Sequence, residues 1–208
     1  MYSFKQILFT TILLGFFVGV NAQDWDSLRA DLEKDYYQGL RLRSKVRLFI
    51  SSYGAISKEM DSLNQAISNF DSLTVVKASA IIENYGWPGK SMVGEIANKS
   101  VFYAIQHADL EIMKKYYEAL KESVKTGESD PWDFALLTDR ILIDSNKPQM
   151  YGTQYYFDEE VGQYFFYPIE NIREANRMRR KVGMQPLKKY AKRNNIVISD
   201  TSLQSASN

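Results

Sequence analysis

The stretch DPWDFALLTDRILID, Asp130 to Asp144, decides the fold. Asp130 stands at a helix N-cap position and Pro131 at the first helical position, where a missing N–H costs nothing. Asp133 then falls in the first turn, at the positive end of the helix dipole. Behind this start Phe134, Ala135, Leu136, Leu137, Ile141, Leu142 and Ile143 are spread around the whole circumference. A helix apolar on every side is buried, so other helices must surround it. It also carries Asp139 and Arg140, and a buried charge needs a partner. Neighbours on a helix diverge by about 100°, so these two do not pair with each other. Asp139 is expected to meet His107 or an arginine of Arg177-Met178-Arg179-Arg180, for a functional purpose or in a structural ion-pair network.

Upstream, helix signals continue. Asp24–Ser52 reads as one long helix with Trp25, Leu28, Leu32, Tyr36, Leu40 and Leu42 on a loosely periodic face, stopped by Tyr53-Gly54. Lys58–Phe70 and Leu73–Tyr85 read as two more, the second capped by Ser72. Gly86-Trp87-Pro88-Gly89 breaks the pattern, and Ser91 is placed as cap of a helix running to about Ala108. Leu110, Met113, Tyr117, Leu120 and Val124 mark an amphipathic helix closed by Gly127.

Downstream of Pro148 the character changes. Gln149–Phe157 and Gln163–Tyr167 are aromatic and β-prone around Asp158–Gly162, which predicts a β-hairpin. Ile172–Val182 returns to helix before Gly183, and Pro186–Arg193 adds another turn or two. The expected class is mainly α (α+β): a single helical domain over 23–198 with one small β-hairpin near the C-terminal third. Residues 199–208 are expected to form a disordered tail.

Residues 1–22 read as a leader. Lys5 precedes an apolar run from Ile7 to Val20, shorter than the roughly 20 residues a spanning helix needs. Val20-Asn21-Ala22 then fits a signal-peptidase site, predicting export to periplasm or medium with no stable membrane anchor after cleavage. No cysteine stands at the cleavage point for lipid attachment.

The chain has no cysteine and one histidine, His107. Thiol nucleophiles, disulfides, iron–sulfur clusters and cysteine zinc sites are thereby excluded, and one side chain alone has an unperturbed pKa near neutrality. Without Lys5 the basic and acidic residues balance at 25 each, so bulk charge predicts no nucleic-acid partner. Locally, Arg173–Arg193 holds nine basic residues and one acid, Glu174, whereas Asp109–Glu160 holds twelve acids and six bases. Such a basic segment binds an anionic surface, stays solvated, or leans on the protein's own acidic face.

Short polar islands are the candidate site. His107 is expected on the core side of its helix, one turn beyond Tyr103, as a general acid or base, a ligand contact, or a hydrogen-bonded core histidine. Tyr151-Gly152-Thr153-Gln154 offers close backbone approach and neutral donors and acceptors, which suit hydrogen bonding to a polar ligand or to a neighbouring buried charge. The hairpin aromatics either stack sugar rings or pack on helices. His107 and Asp139 are the candidate catalytic residues. Trp87, Gln106, Asp109, Arg140, Tyr151, Gly152, Thr153, Gln154 and Arg180 are the candidate ligand-binding residues. No metal site and no cofactor is expected.

The islands YGWPGKSMVG (Tyr85–Gly94), QHAD (Gln106–Asp109), LTDR (Leu137–Arg140), QMYGTQ (Gln149–Gln154), YPIE (Tyr167–Glu170) and RRKVGMQPLKKY (Arg179–Tyr190) occur in an order that resembles a bacterial family catalogued as a domain of unknown function. The resemblance covers about Asp61–Tyr190, with a fainter Asp35…Arg41 element upstream. It implies that the islands form one assembled unit, and no activity or catalytic residue.

Three functions compete. The first is an exported domain binding a small polar or anionic ligand around His107, Asp139, Arg140 and the Tyr151–Gln154 segment, with the Arg140 fork meeting the anion. The second is a hydrolase or lyase with His107 as general base oriented by Asp139 or Asp109. No G-x-S-x-G, HExxH or DxDxDG pattern accompanies it. The third is a structural or protein-interaction domain.

Overall fold

In a computed structural model, which describes residues 22–198, Asp130 caps the decisive helix by accepting from the Trp132 N–H at 2.9 Å. That helix, α6 (Pro131–Asp144), buries Ala135, Leu137, Thr138 and Asp139. It is not enclosed by helices as expected: it packs on α5 (Leu110–Lys125) and α4 (Glu95–Gln106), while α1 (Ala22–Tyr53), α2 (Lys58–Tyr85) and the single turn α3 (Lys90–Val93) pack on α4 and on one another, and Phe134, Leu136 and Ile141 stay half-buried. The leader and the tail expected from the sequence lie outside the described residues. No described helix is long and apolar enough to cross a membrane.

Two boundaries differ from the sequence reading. Lys58–Tyr85 is one continuous helix, not two. It contains no glycine or proline, and Ser72 is no cap: its hydroxyl donates back to the Ser68 carbonyl at 2.9 Å. Such back-bonding satisfies a mid-helix hydroxyl without ending the helix. Conversely, the helix expected from Ser91 to Ala108 is cut at Gly94, whose φ of +83° admits little but glycine. Ser91 does not cap through its side chain; its backbone N–H is held by Glu128 Oε2 at 2.8 Å.

Helix α4 is the hub, packed against α1, α2, α5 and α6. Its small residues Ala97, Ser100 and Ala104 are buried beside Val101, Phe102 and Ile105, so neighbouring backbones approach closely. Leu32 of α1, Ala78, Ile81 and Ile82 of α2, Met113 and Leu120 of α5 and Leu137 of α6 complete this core.

The C-terminal part adds α7 (Ile172–Lys181), α8 (Leu187–Asn194) and a sheet of order β1-β2-β3. Strands β1 (Tyr155–Asp158) and β2 (Gln163–Phe166) form the expected hairpin, with Tyr155 opposite Phe166. Strand β3 (Ile196–Val197), which the sequence reading did not contain, runs parallel to β2. Residues 149–154, expected in the first strand, instead form a buried loop. Phe166, Ile169, Ala175, Leu187, Ala191 and Ile196 make a second core, and Ala135, Tyr151 and Met184 link it to the helices. The result is the mainly helical single domain with a small sheet that the pattern predicts.

Candidate functional site

Asp139 is fully buried, and its carboxylate is completely occupied. Oδ1 accepts from the backbone N–H groups of Met150 (2.8 Å) and Tyr151 (2.9 Å), and Oδ2 from the N–H and hydroxyl of Thr153 (both 2.9 Å). Burial pushes this carboxyl above its ordinary value, and the four donors pull against that push. The expected partners, His107 and the 177–180 arginines, do not reach it; main-chain dipoles do.

The same loop meets a cation on its other side. Arg179 is 1 % exposed and donates from Nη1 to the carbonyls of Tyr151 (2.9 Å) and Gly152 (3.0 Å), and from Nε to Gln185 (2.7 Å). Its guanidinium also lies 5.0 Å from the Tyr190 ring centre. Peptide groups thus stand between anion and cation and bond to both, while Arg179 Nη2 stays buried without a hydrogen-bond partner. Gln149 closes the loop: its Nε2 donates to the Gln154 and Tyr167 carbonyls, and its Oε1 accepts from the Gln154 N–H. Gly152 sits at φ +70°, and an added Cβ there would stand 2.8 Å from Leu187 Cδ1 and 3.0 Å from Ile169 Cδ1. The buried arginine is Arg179; Arg180, singled out from the sequence, points to solvent.

His107 belongs to a different place. As C-cap of α4 (φ −99°, ψ 7°) it is half-buried, where an uninterrupted helix was expected. It lines a cleft between α1, α2 and α4 of about 380 Å³ including the open mouth. Tyr36, Leu40 and Arg43 come from α1, Phe70, Asp71 and Thr74 from α2, and Ser100 and Tyr103 from α4. Tyr36, Tyr103 and His107 form a ladder of rings, at 5.8 Å and then 6.4 Å, the last pair nearly parallel. A second, more open depression lined by Asn64, Ser68, Ser72 and Asp109 shares Asp71 and His107 with the first.

Most charges of the cleft are already paired. Arg43 Nη2 meets Asp71 Oδ1 at 2.6 Å, and Lys77 Nζ meets Asp35 Oδ2 at 2.6 Å and Asp31 Oδ2 at 2.7 Å. Arg140 of α6 is half-exposed beside Asp144, at 3.4 Å. The imidazole differs, since no described residue hydrogen-bonds it. Burial, with the positive charges of Arg43 and Arg140 adding to it, pushes its pKa down to about 3. His107 is therefore neutral at physiological pH, with one donor and one acceptor nitrogen.

The structure thus separates the sequence candidates. Tyr151, Gly152, Thr153 and Gln154 are buried with Asp139 in the closed loop. Trp87 packs in the main core and Gln106 is buried at the end of α4. Asp109 is exposed at the start of α5. His107 keeps an open cleft, with Arg140 close enough to act on it electrostatically. The sequence reading placed Tyr36 only on the periodic face of its helix and missed Arg43 and Asp71, whose positions look like solvated faces; the faint Asp35…Arg41 element was the one signal toward them. No group of three or more described side chains is arranged to hold a metal ion.

Residues 41–198 match the model of a family of unknown function (DUF6624), and the chain belongs to that family. The match reaches further at both ends than the motif order suggested, and it includes Arg43, Asp71 and His107. No curated protein and no solved structure matches the chain.

Proposed function

We propose that this member of the family binds a small polar ligand in the cleft between α1, α2 and α4, with the neutral His107 imidazole as its central hydrogen-bonding group. One observation carries the reading. Among the described residues three buried side-chain nitrogens lack a hydrogen bond, on Trp87, Arg140 and Arg179, and none of these residues lines the cleft, whereas this imidazole faces it with both nitrogens uncommitted. The near-parallel rings of Tyr103 and His107, with Tyr36 tilted against them, offer an aromatic wall for the ligand's less polar side. An anionic group on the ligand would find Arg43 and Arg140 on the same side of the molecule as His107. Binding is favoured over proton abstraction because a base with a pKa near 3 has little driving force at neutral pH. Asp139 and Arg180 leave the reading, and the Tyr151–Gln154 loop becomes its scaffold.

The single histidine makes the test direct, since its ring gives one Cε1–H NMR signal, and calorimetry reads affinity where that ring is replaced. A panel of small carboxylates, phosphates, amino acids and amino sugars is titrated against the protein. At least one compound shifts the His107 signal saturably and loses ten-fold or more in affinity in His107→Phe. A compound that binds His107→Phe as tightly as wild type, or a panel that leaves the signal unmoved, overturns the reading.

A further inference from the structure

The nine basic residues between Arg173 and Arg193 separate cleanly in the fold. Arg179 is consumed in the interior and Arg177 is paired with Glu174. Arg173, Arg180, Lys181, Lys188, Lys189, Lys192 and Arg193 are exposed, and none makes an ion pair among the described residues. They do not lean on the protein's own acidic segments.

Their placement follows from helical geometry. On α8, Leu187 and Ala191 face the small C-terminal core, and the four cations at 188, 189, 192 and 193 occupy the opposite arc of about 140°. On α7, Ala175 and Arg179 face inward, while Arg173, Arg180 and Lys181 fall within an arc of about 100° on the outer side. Both helices lay their inner stripes on one core and touch each other across the short 182–186 connection. Their outer faces therefore form one basic surface. Tyr155, 43 % exposed, joins its margin through the ring contacts Tyr155–Phe166 (6.5 Å) and Phe166–Tyr190 (6.3 Å).

We propose that the outer face of α7 and α8 docks the protein reversibly on an anionic lipid bilayer. Seven exposed cations that make no ion pair among the described residues, on two short helices in contact, fit a field of headgroup charge. A half-exposed tyrosine beside them suits the membrane–water interface, where its ring and hydroxyl have different preferences. The balanced overall charge gives no general attraction to polyanions, so the contact is oriented by this face. The inference is independent of the His107 cleft.

The test uses the purified protein, pelleted with vesicles of 30 % phosphatidylglycerol in phosphatidylcholine and with pure phosphatidylcholine vesicles. Binding is expected to the first alone, weakening steeply from 50 to 300 mM salt. Removing charge lowers partitioning by about five-fold per residue. The quadruple variant Lys188→Gln/Lys189→Gln/Lys192→Gln/Arg193→Gln thus loses on the order of 600-fold. Arg173→Gln/Arg180→Gln/Lys181→Gln gives the same direction from the other helix, and circular dichroism shows which variants are folded. Equal binding to both vesicle types, no binding to the anionic ones, or folded variants that bind like wild type overturns the proposal. Tighter capture by duplex DNA than by anionic vesicles also overturns it, in favour of a nucleic-acid face.

Discussion

Replacing Asp139 by asparagine changes almost no volume and tests whether the loop 150–153 is organised by a negative charge. The wild-type carboxylate accepts four hydrogen bonds at 2.8–2.9 Å. An amide keeps two of them at its oxygen and turns an NH₂ toward Thr153. The Thr153 hydroxyl can rotate to accept from that NH₂, but the Thr153 N–H is left facing a donor. An orphaned buried N–H costs about 1–3 kcal/mol, and each remaining bond loses the roughly 1 kcal/mol that ionisation adds. Arg179 across the loop also loses the nearest buried anion. We expect Asp139→Asn to lower the unfolding free energy by about 4 kcal/mol at pH 7, a large part of the 5–15 kcal/mol usual for a domain. Urea unfolding followed by circular dichroism and by tryptophan fluorescence measures it, with an unchanged denaturant slope confirming comparable states. A loss below about 1 kcal/mol would refute the reasoning. It would mean that burial has already protonated the carboxyl, so that the amide merely replaces an acid of the same hydrogen-bonding capacity.

The other expectations are simpler. His107→Gln changes stability by less than about 1 kcal/mol at pH 7, because no hydrogen bond to the ring is lost. The imidazole goes from 6.5 unfolded to about 3 folded, so its contribution is full above pH 6.5 and is lost as pH falls toward 3. Wild type should therefore lose stability relative to His107→Gln by up to about 1.4 kcal/mol per pH unit in that window, and a flat difference would refute the assignment. The comparison must be a difference, because burial pushes Asp133 up to about 6 despite its bond to Lys99, and its proton uptake below pH 6 acts with the opposite sign in both proteins. Gly152→Ala should cost about 3 kcal/mol or more, lowering Tm by roughly 6–12 °C. Gly162→Ala is the control: its φ is +71°, yet an added Cβ meets nothing within 4 Å, so it suffers backbone strain alone. Equal losses in the two glycine variants would show that the Leu187 and Ile169 contacts do not matter.

The sequence by itself determined the parts governed by neighbours along the chain. Cap and proline at 130–131 start α6, period-3.6 apolar spacing gives α5, and aromatic runs around Asp158–Gly162 give the hairpin. These signals act within a few residues, so a linear reading recovers them. It also established that Asp139, on a helix apolar all round, needs a partner from elsewhere. It failed where a local cue had two outcomes, as at Ser72, whose hydroxyl bonds back into its own helix, and at Gly94, where a positive φ ends one helix and begins another.

Only the tertiary structure decided who meets whom. Asp139 is satisfied by three main-chain N–H groups and the Thr153 hydroxyl; Tyr151–Gln154 read as a segment suited to a ligand or a buried charge, but main-chain donors carry no residue-specific signature to tie it to Asp139. Arg179 and Arg180 are adjacent and chemically identical, and a 100° step about α7 sends one into the core and the other to solvent. The cleft at His107 is assembled from α1, α2 and α4, with Arg43 and Asp71 meeting across 28 positions of sequence. Its walls exist only because buried small residues on α4 let three helices pack closely, and a concavity between helices is a property of that packing and not of any one segment.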